Sequence, residues 1–437
     1  MKTKLLASIL LATSNLIRSN ARWCVLTCLL AATIFQSPVA QADIVYSWGF
    51  NGSGQVGDGT EINRTEPIRV IGLSGVSLVA AGGSHSLAVL NGAAYAWGYN
   101  GDHEIGDGTT TQRNTAVAVA GLSSGVTAIA GGGYHSLAIQ NGGVYAWGLN
   151  SAGQLGIGGV TTNAIPVEVA GLSSGVTAIA AGGAHSLAIR NGGVYSWGYN
   201  AYGQLGDQTY IYRDTPSVLT SLSSGVTAVA ASADGSLAIQ NGAAYAWGSN
   251  HYGQFGNGTT TTSVMPVAID SLTSGVTAIA SGSSHSLFVQ NGGVFACGNN
   301  DSYQLGDGTN ILHTTPERID PENLHDIIAV AAGTASSYAL SSDGSLWVWG
   351  HNGWGELGLG GALNGNDSQP TPHRLLPPSG YVFTSIDAYG GTYLDHAVAT
   401  VAEVPEPVIL PLIGVAFFWL LVIGRTRAAA GNENTLK

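Results

Sequence analysis

The sequence predicts an all-β fold, a seven-bladed β-propeller whose ring is closed by pairing of the N- and C-terminal strands. Three observations predict it: a repeat of about 50 residues, four strand patterns per repeat, and half a hairpin at each end of the repeat region. A fixed period near this length is typical of propellers and solenoids. Tryptophan–glycine pairs mark six copies at Trp48, Trp97, Trp147, Trp197, Trp247 and Trp349, and Cys297-Gly298 takes the same place in the remaining copy.

The third copy shows the elements of one repeat in order. Val126–Ala130 alternates as a strand, three glycines then bend the chain, and His135–Ile139 forms a second strand. Asn141-Gly142 predicts a type I′ hairpin turn, because both central residues of that turn need a positive φ. Val144–Trp147 is the third strand and Pro166–Val169 the fourth, which gives the four strands of a propeller blade. The turn recurs at Asn91-Gly92, Asn191-Gly192, Asn241-Gly242, Asn291-Gly292 and Asp343-Gly344.

The two ends of the repeat region complete each other. Ile44–Trp48 reads as a third strand with no second strand before it, and His396–Val401 reads as a second strand with no third strand after it. Pairing them completes one blade from both chain ends and removes the exposed sheet edges of an open ring. The predicted propeller domain therefore spans residues 43–402.

Charge excludes two classes of partner. Of 437 residues only 9% are charged and 64 are Gly, with a formal net charge of -12. Between Asp43 and Ala402 the chain has 7 Arg, no Lys and 23 acidic residues, a net charge of -16. Binding to nucleic acid requires a basic surface that releases phosphate counterions, and anionic membrane surfaces also attract basic segments. We therefore expect no nucleic-acid partner and no attraction of the propeller to an anionic membrane.

Residues 1–42 read as a secretory signal peptide. Cys24–Phe35 is a short apolar run, and Ala40-Gln41-Ala42 fits the small-x-small rule for cleavage before Asp43. The alternative is a membrane anchor that is retained. The basic residues that precede the apolar run are Lys2, Lys4, Arg18 and Arg22.

The C-terminal segment, residues 403–437, predicts a membrane-spanning helix. Pro405-Glu406-Pro407 precedes 17 uncharged, mostly apolar residues, 408–424, and Arg425 and Arg427 follow. A helix of that length is roughly 26 Å long, just enough to cross a bilayer. The order resembles the PEP-CTERM sorting signal of Gram-negative bacteria, although the arginine cluster has only two members and ten residues follow Arg427. A plain single-span anchor is the alternative.

The PEP-CTERM resemblance implies a partner and a location. In that family an exosortase-like membrane peptidase is thought to recognise and process the tail. The implied product is an exported protein, anchored in the inner membrane as an intermediate. Its final location would then be the cell surface or extracellular matrix of a Gram-negative bacterium.

Three short motifs resemble the regulator-of-chromosome-condensation repeat. They are Gly82–Leu87 (Gly-Gly-x-His-Ser-Leu), Tyr95–Gly98 (Tyr-Ala-Trp-Gly) and Asn150–Gly156 (Asn-x-x-Gly-Gln-Leu-Gly). The resemblance covers about 360 residues and implies a seven-bladed propeller. The eukaryotic member that gives the family its name is a nuclear exchange factor for a small GTPase, a role that an exported, lysine-free acidic core argues against. A secreted bacterial inhibitor of β-lactamase with the same propeller is a closer functional analogue.

Repeated polar residues read as structural rather than catalytic. One histidine per repeat, bonded to neighbouring backbone, is expected at His85, His135, His185 and His285. Asp58, Asp107, Asp207 and Asp307 each follow a glycine and are expected to cap turns, since one carboxylate per loop falls short of the oxygens that calcium needs. Cys297 reads as a buried inert thiol, and its replacement of a tryptophan suggests that blade 6 is the loosest blade. We predict no catalytic residue, metal or cofactor.

The loop after each Trp-Gly pair carries the candidate binding residues. Tyr202, Tyr252, Tyr303 and Trp354 lie in equivalent loops, which a propeller places on one face. Exposed aromatic rings suit protein or sugar binding, while packing against neighbouring loops is the alternative. The sequence thus predicts an exported, non-enzymatic propeller that binds a protein or polysaccharide. A secreted regulator or inhibitor of one protein is the second hypothesis, and a sugar-active enzyme is the third.

Overall fold

The computed structural model describes residues 43–361, 368–391 and 395–404, which form seven four-stranded antiparallel sheets in a closed ring. The predicted all-β propeller is therefore confirmed. The predicted signal peptide and the tail from Pro405, including its apolar segment, lie outside the described residues. Within the described ranges no helix has the length and apolar character needed to cross a bilayer.

The strands follow the repeat, and each blade is numbered by its Trp-Gly or Cys-Gly copy. The described residues begin with β1 (Ile44–Gly49) and β2 (Arg64–Ser74). Blade 2 contains β3 (Val76–Ala81), β4 (His85–Leu90), β5 (Ala93–Gly98) and β6 (Arg113–Ala118). Blade 3 contains β7 (Val126–Gly131), β8 (His135–Gln140), β9 (Gly143–Gly148) and β10 (Asn163–Glu168). Blade 4 contains β11 (Val176–Ala181), β12 (His185–Arg190), β13 (Gly193–Gly198) and β14 (Arg213–Val218).

The remaining blades continue in the same order. A 3₁₀ turn at Thr220–Leu222 leads into blade 5, which contains β15 (Val226–Ala231), β16 (Gly235–Gln240), β17 (Ala243–Gly248) and β18 (Ser263–Ala268). Blade 6 contains β19 (Val276–Ser281), β20 (His285–Gln290), β21 (Gly293–Gly298) and β22 (His313–Arg318). Blade 7 contains β23 (Ile327–Ala332), β24 (Ser336–Ser341), β25 (Leu346–Gly350) and β26 (Gln369–Leu375). The chain returns with β27 (Tyr381–Ala388) and β28 (His396–Glu403).

Blade 1 is assembled from both chain ends, as the sequence predicts. Its strand order is β2-β1-β28-β27, and β1 pairs with β28 in an unbroken register from Ile44–Val401 to Gly49–His396. Trp48 from β1 is fully buried among residues of blades 1 and 7. The closing strand pair thus also contributes the tryptophan of its blade.

Two details of the blades differ from the sequence-based expectation. The fourth strand of blade 3 begins at Asn163 rather than Pro166, because Asn163 already pairs with Gly148 and a bulge separates it from Val167. Pro166 lies within that bulge, where its missing N–H leaves no ladder bond unmade. Five Asn-Gly turns have positive φ at both residues, but at Asp343-Gly344 only the glycine does. That turn is a longer loop, closed by the Gly344 N–H donating to Ser341 O.

A hydrogen bond from each of the six repeated tryptophans joins neighbouring blades. Trp97 Nε1 donates to the main-chain carbonyl of Gln55, which lies in the loop of the preceding blade, at 2.8 Å. We call this the tryptophan–carbonyl bond. It recurs from Trp48, Trp147, Trp197, Trp247 and Trp349 to Glu356, Glu104, Gln154, Gln204 and Gln304 respectively. The repeated tryptophans therefore hold the ring together as well as filling the cores.

The repeated histidines form a second bond between blades, which corrects the expectation that they bond backbone. His135 Nε2 lies 2.9 Å from Ser186 Oγ of the next blade, and the same pair joins His85 to Ser136, His185 to Ser236, His285 to Ser337 and His396 to Ser86. The Ser186 hydroxyl itself donates to Gln154 O. Its oxygen must therefore accept from the histidine N–H. We call this the histidine–serine bond.

Candidate functional site

The loops after the third strands are held rigidly by their own side chains. In blade 4, Asn200 Oδ1 accepts the Leu205 N–H at 2.9 Å, and Asn200 Nδ2 donates to Thr209 O at 3.0 Å. Gln204 Oε1 accepts the Tyr202 N–H at 3.0 Å. Because the backbone on both sides of Tyr202 is fixed in this way, the loop presents that side chain in a defined position.

The aspartates of these loops cap turns, as predicted. Asp207 Oδ1 accepts from the Thr209 N–H and hydroxyl, and Asp207 Oδ2 pairs with Arg213 at 2.9 Å. Burial alone would raise the pKa of Asp207, but the bonds from Thr209 and Arg213 lower it. Asp58, Asp107 and Asp307 make the corresponding contacts with Thr60, Thr109 and Thr309. In the described residues no group of three or more possible metal ligands is clustered.

The four aromatic residues predicted for binding do not form one site. Tyr202 is 38% exposed, Tyr252 44% and Trp354 38%, while Tyr303 is half-buried. Tyr202 and Tyr252 line the same cavity. Trp354 instead packs edge-on against Phe50 of the neighbouring blade, with ring centroids 5.4 Å apart. The sequence therefore identified two residues of one cavity, together with others that lie elsewhere on the ring.

The cavity shared by the two tyrosines lies where loops of blades 4, 5 and 6 meet, and we call it the tyrosine cavity. Its volume is about 230 Å³. The lining includes Tyr202, Asp234, His251, Tyr252, Ser283 and Ser284. It therefore combines aromatic rings with hydroxyl, imidazole and carboxylate groups.

A row of aromatic rings leads away from the tyrosine cavity. Tyr202 lies 6.3 Å from the His251 ring at 87° and 6.5 Å from the Tyr199 ring, and Tyr199 in turn lies 4.7 Å from Tyr212. A hydrogen bond with Tyr212 raises the pKa of Tyr199 to about 12, so the hydroxyl stays neutral at physiological pH. Tyr210 and Ile211, beside Tyr212, are 58% and 63% exposed. This makes the blade 4 loop an apolar surface.

Asp234 contributes the charge of the tyrosine cavity, and sequence reasoning missed it. It occupies the position before Gly235, the residue that replaces the repeated histidine of blade 5. Among the described residues only the Gln204 amide donates to its carboxylate, at 3.2 Å, and burial raises its pKa. Comparing the positions around Gly235 across the copies would have identified Asp234, since no other copy has an acid directly before the second strand except Asp395.

The histidine–serine pairs are poorly suited to nucleophilic chemistry. His135 and Ser186 are both fully buried, and burial lowers the pKa of His135 to about 3. An activated serine must give its proton to the histidine. The Ser186 hydroxyl instead donates its hydrogen bond to the Gln154 carbonyl, so the geometry matches a structural bond between blades.

The central channel is a second cavity of about 320 Å³, lined by the first strand of every blade. Its lining is mostly Ala, Val and Ile, with Asp387 the charged residue. The Asp387 carboxylate accepts the Ala81 N–H at 2.9 Å, and burial raises its pKa to about 6. That carboxylate joins blade 1 to blade 2, which leaves the tyrosine cavity as the better candidate site.

Comparisons with known proteins agree with this architecture. A family model described as RCC1-like domain matches residues 45–394. Human WBSCR16 is similar in structure, with a TM-score of 0.72 and 26% identity, over 83% of this chain and 99% of that chain. Yeast RCC1 (Prp20), solved bound to Kap60, has a TM-score of 0.73 and 20% identity over 84% and 90% of the two chains. A crystal structure of Prp20p from Saccharomyces cerevisiae, described with its binding properties to Gsp1p and histones, has a TM-score of 0.72 and 22% identity over 84% and 93%.

Proposed function

Because the chain belongs to the RCC1-like domain family, we propose that it is a non-enzymatic binding protein that holds one macromolecular ligand through loops on one face of its propeller. The observation that supports this most directly is the exposed aromatic group at blades 4 and 5. Tyr202, Tyr210, Tyr212 and Tyr252 are between 38% and 58% exposed. Aromatic rings supply much of the energy at binding surfaces, because they bury a large area at low entropic cost.

The site of action that we propose is outside the cytoplasm. The support is in the sequence: residues 1–42 have the pattern of a signal peptide, and Pro405-Glu406-Pro407 is followed by an apolar segment and two arginines. An exosortase-like peptidase would process this tail, and the propeller would then act at the cell surface or in the extracellular matrix. Mass spectrometry of the mature protein tests this proposal, since an intact segment at residues 408–424 would contradict processing.

Charge supports a binding role different from nuclear exchange factors. The propeller has no lysine and a net charge of -16 between Asp43 and Ala402. A nucleic-acid ligand would be repelled by such a domain. We therefore propose a surface protein or polysaccharide as the ligand. Regulation of one specific protein is the second candidate, and capture of that protein in a one-to-one complex would favour it.

The test measures binding of the full-length chain to arrays of glycans and surface proteins. It compares a variant of the loop face with a variant of the opposite face. We expect the double variant Tyr202→Ala/Tyr252→Ala to lose at least about tenfold in affinity, because truncation of an aromatic residue at a binding hot spot costs about 2 kcal/mol or more. Ile328→Ala is the matched control. Ile328 is 56% exposed, and the preceding Ile327 N–H donates to Gly292 O in a hairpin turn, which lies on the face opposite the binding loops. Loss with Ile328→Ala alone, or turnover of a bound probe, would contradict the proposal.

A further inference from the structure

We propose that the tyrosine cavity binds one pyranose ring of a neutral polysaccharide. This inference depends on the binding function proposed above and names the class of ligand. It is supported by four features of the cavity: its place in the ring, its size, its polar groups and its charge.

The tyrosine cavity lies where the repeat changes most. At the boundary between blades 5 and 6, Gly235 replaces the histidine and Cys297 replaces the tryptophan. Ser286 consequently has no histidine partner among the described residues, and the Cys297 thiol donates only a weak bond of 3.5 Å to Gln254 O. The histidine–serine bond is therefore missing here and the tryptophan–carbonyl bond is reduced to a weak thiol contact, and Asp234 directly precedes Gly235. Of these changed positions Asp234 is the one that lines the cavity, so the break in the repeat places a carboxylate there.

The size and rings of the cavity suit a single sugar unit. Its volume of about 230 Å³ is below the roughly 300–1,000 Å³ of pockets for drug-sized ligands. Tyr202 and Tyr252 contribute exposed rings from adjacent loops, each held by a glutamine that accepts its backbone N–H at 3.0 Å. Aromatic faces bind the C–H faces of sugars, because both surfaces are apolar and the ring is electron-rich. A longer chain would continue over the exposed row at Tyr212 and Tyr210.

The polar groups of the cavity match sugar hydroxyls. Asp234 is half-buried and accepts one hydrogen bond, from Gln204 at 3.2 Å, which leaves acceptor capacity for hydroxyl donors. Ser283 and Ser284 add groups that can both donate and accept. A carboxylate bonded to hydroxyls orients a sugar more strongly than neutral groups do, since charge-assisted bonds are about twice as strong.

Charge selects a neutral sugar over an acidic one. Asp234 is the charged residue of the lining, and Arg213, which follows Tyr212, already pairs with Asp207. The described lining contains no Lys or Arg that would compensate a uronic acid or a sulfate. The net charge of -16 between Asp43 and Ala402 adds to that repulsion.

The experiment measures binding of the full-length chain to a glycan array, followed by titration calorimetry. The probes are neutral hexasaccharides (cellohexaose, laminarihexaose and maltohexaose), hexagalacturonate as the acidic probe and hexalysine as the cationic peptide. We expect a neutral glycan to bind, with Tyr252→Ala and Asp234→Asn each weakening it about tenfold. Tyr252→Phe keeps the ring and should bind within about threefold of the wild type. Ile328→Ala, which lies outside both the cavity and the aromatic row, is the matched control and should change affinity less than twofold.

Several results would overturn the inference. These are binding of acidic glycans or hexalysine only, binding of no glycan, or neutral-glycan binding that Tyr252→Ala and Asp234→Asn leave unchanged. Thermal unfolding of each variant separates a lost contact from a lost fold, and Asp234→Asn preserves side-chain shape. If surface ligands bind through the loop face, but Asp234→Asn and Tyr252→Ala do not change their affinity, the inferred sugar site is wrong while the proposed function stands. If the chain binds no surface ligand, both are wrong.

Discussion

At the scale of single residues, Cys297 shows how a changed repeat position is accommodated. A fully buried tryptophan fills the equivalent position of the other six blades. The core around Cys297 instead contains Phe255 and Phe288. The equivalent positions in the core of blade 4 are Leu155 and Ala188. The two extra rings occupy volume that the indole fills elsewhere, so Cys297 belongs to a repacked core rather than a depleted one.

This repacking predicts that Cys297→Trp and Phe288→Ala rescue each other. Cys297→Trp alone should destabilise the fold by about 1–3 kcal/mol, because the core is already full. Phe288→Ala alone should cost about 3–5 kcal/mol by leaving a cavity. The double variant recreates the Trp and Ala pair of blade 4, so its loss should be smaller than the sum of the two by about 1–3 kcal/mol. Urea unfolding of the four proteins measures this.

Trp197→Cys provides the control for that cycle. Blade 4 has no extra phenylalanine, so this variant should be destabilised by roughly 3–5 kcal/mol with no neighbouring ring to compensate. Additive losses in the Cys297 and Phe288 cycle would show that the two side chains do not share one space. Burial raises the pKa of the Cys297 thiol, which also fits an inert packing role.

At the scale of elements, the boundary between blades 5 and 6 differs from its neighbours. In four blades the glycine of the bend lies under a histidine ring: a Cβ on Gly132 would come within 2.4 Å of His135 Cε1. In blade 5 Ser232 takes the place of the bend glycine, and Gly235 takes the place of the histidine. The Ser232 hydroxyl bonds the Gly235 backbone instead. The two changes depend on each other sterically. The hypothesis that blade 6 is the loosest blade is thereby refined. Its boundary with blade 5 lacks the histidine–serine bond, whereas the core around Cys297 is well filled.

Restoring the missing bond should strengthen this boundary. In the double variant Ser232→Gly/Gly235→His, the new ring should bond Ser286 Oγ, which already donates to Gln254 O as its equivalents do. We expect slower hydrogen exchange at the Asn299 amide, which bonds Ser284 O across the bend, by about tenfold for a bond worth about 1–1.5 kcal/mol. The single variant Gly235→His is the control and should destabilise, because its ring meets the Ser232 side chain. Equal exchange in wild type and double variant would refute the role of this bond.

At the scale of the whole molecule, the sequence predicts those features that are encoded within one repeat or by comparing the repeats. The period, the Asn-Gly turns and the pairing of β1 with β28 follow from short-range patterns and are confirmed. The partners of the histidines could not be derived in this way, since His135 bonds a serine 51 residues further on. Asp234 and Tyr202 likewise come from neighbouring blades, and only the ring brings them together. Contacts between blades thus depend on geometry that a single repeat does not contain.

The bonds between blades also determine how the ring responds to acid. Burial lowers the pKa of His85, His135 and His185 to about 3, and of His285 and His396 to about 4. Burial has the opposite effect on carboxyl groups, raising the pKa of Glu104 to about 8 and of Asp387 and Asp395 to about 6. Histidines in the unfolded chain bind protons below pH 6.5, whereas the folded ones do not. These histidines therefore stabilise the fold above pH 6.5 and lose that effect as the pH falls towards 4.

The five histidines should outweigh the three carboxyl groups between pH 6.5 and pH 5. Near pH 5 unfolding should take up about two protons net, so the free energy of unfolding should fall by about 3 kcal/mol per pH unit. His135→Gln removes one titrating group and should reduce that slope by about 1.4 kcal/mol per pH unit. The exposed His373→Gln is the matched control and should leave the slope unchanged. Urea titrations at pH 5, 5.5, 6 and 6.5 measure the slope, and a stability that rises as the pH falls would show that the buried carboxyl groups dominate instead.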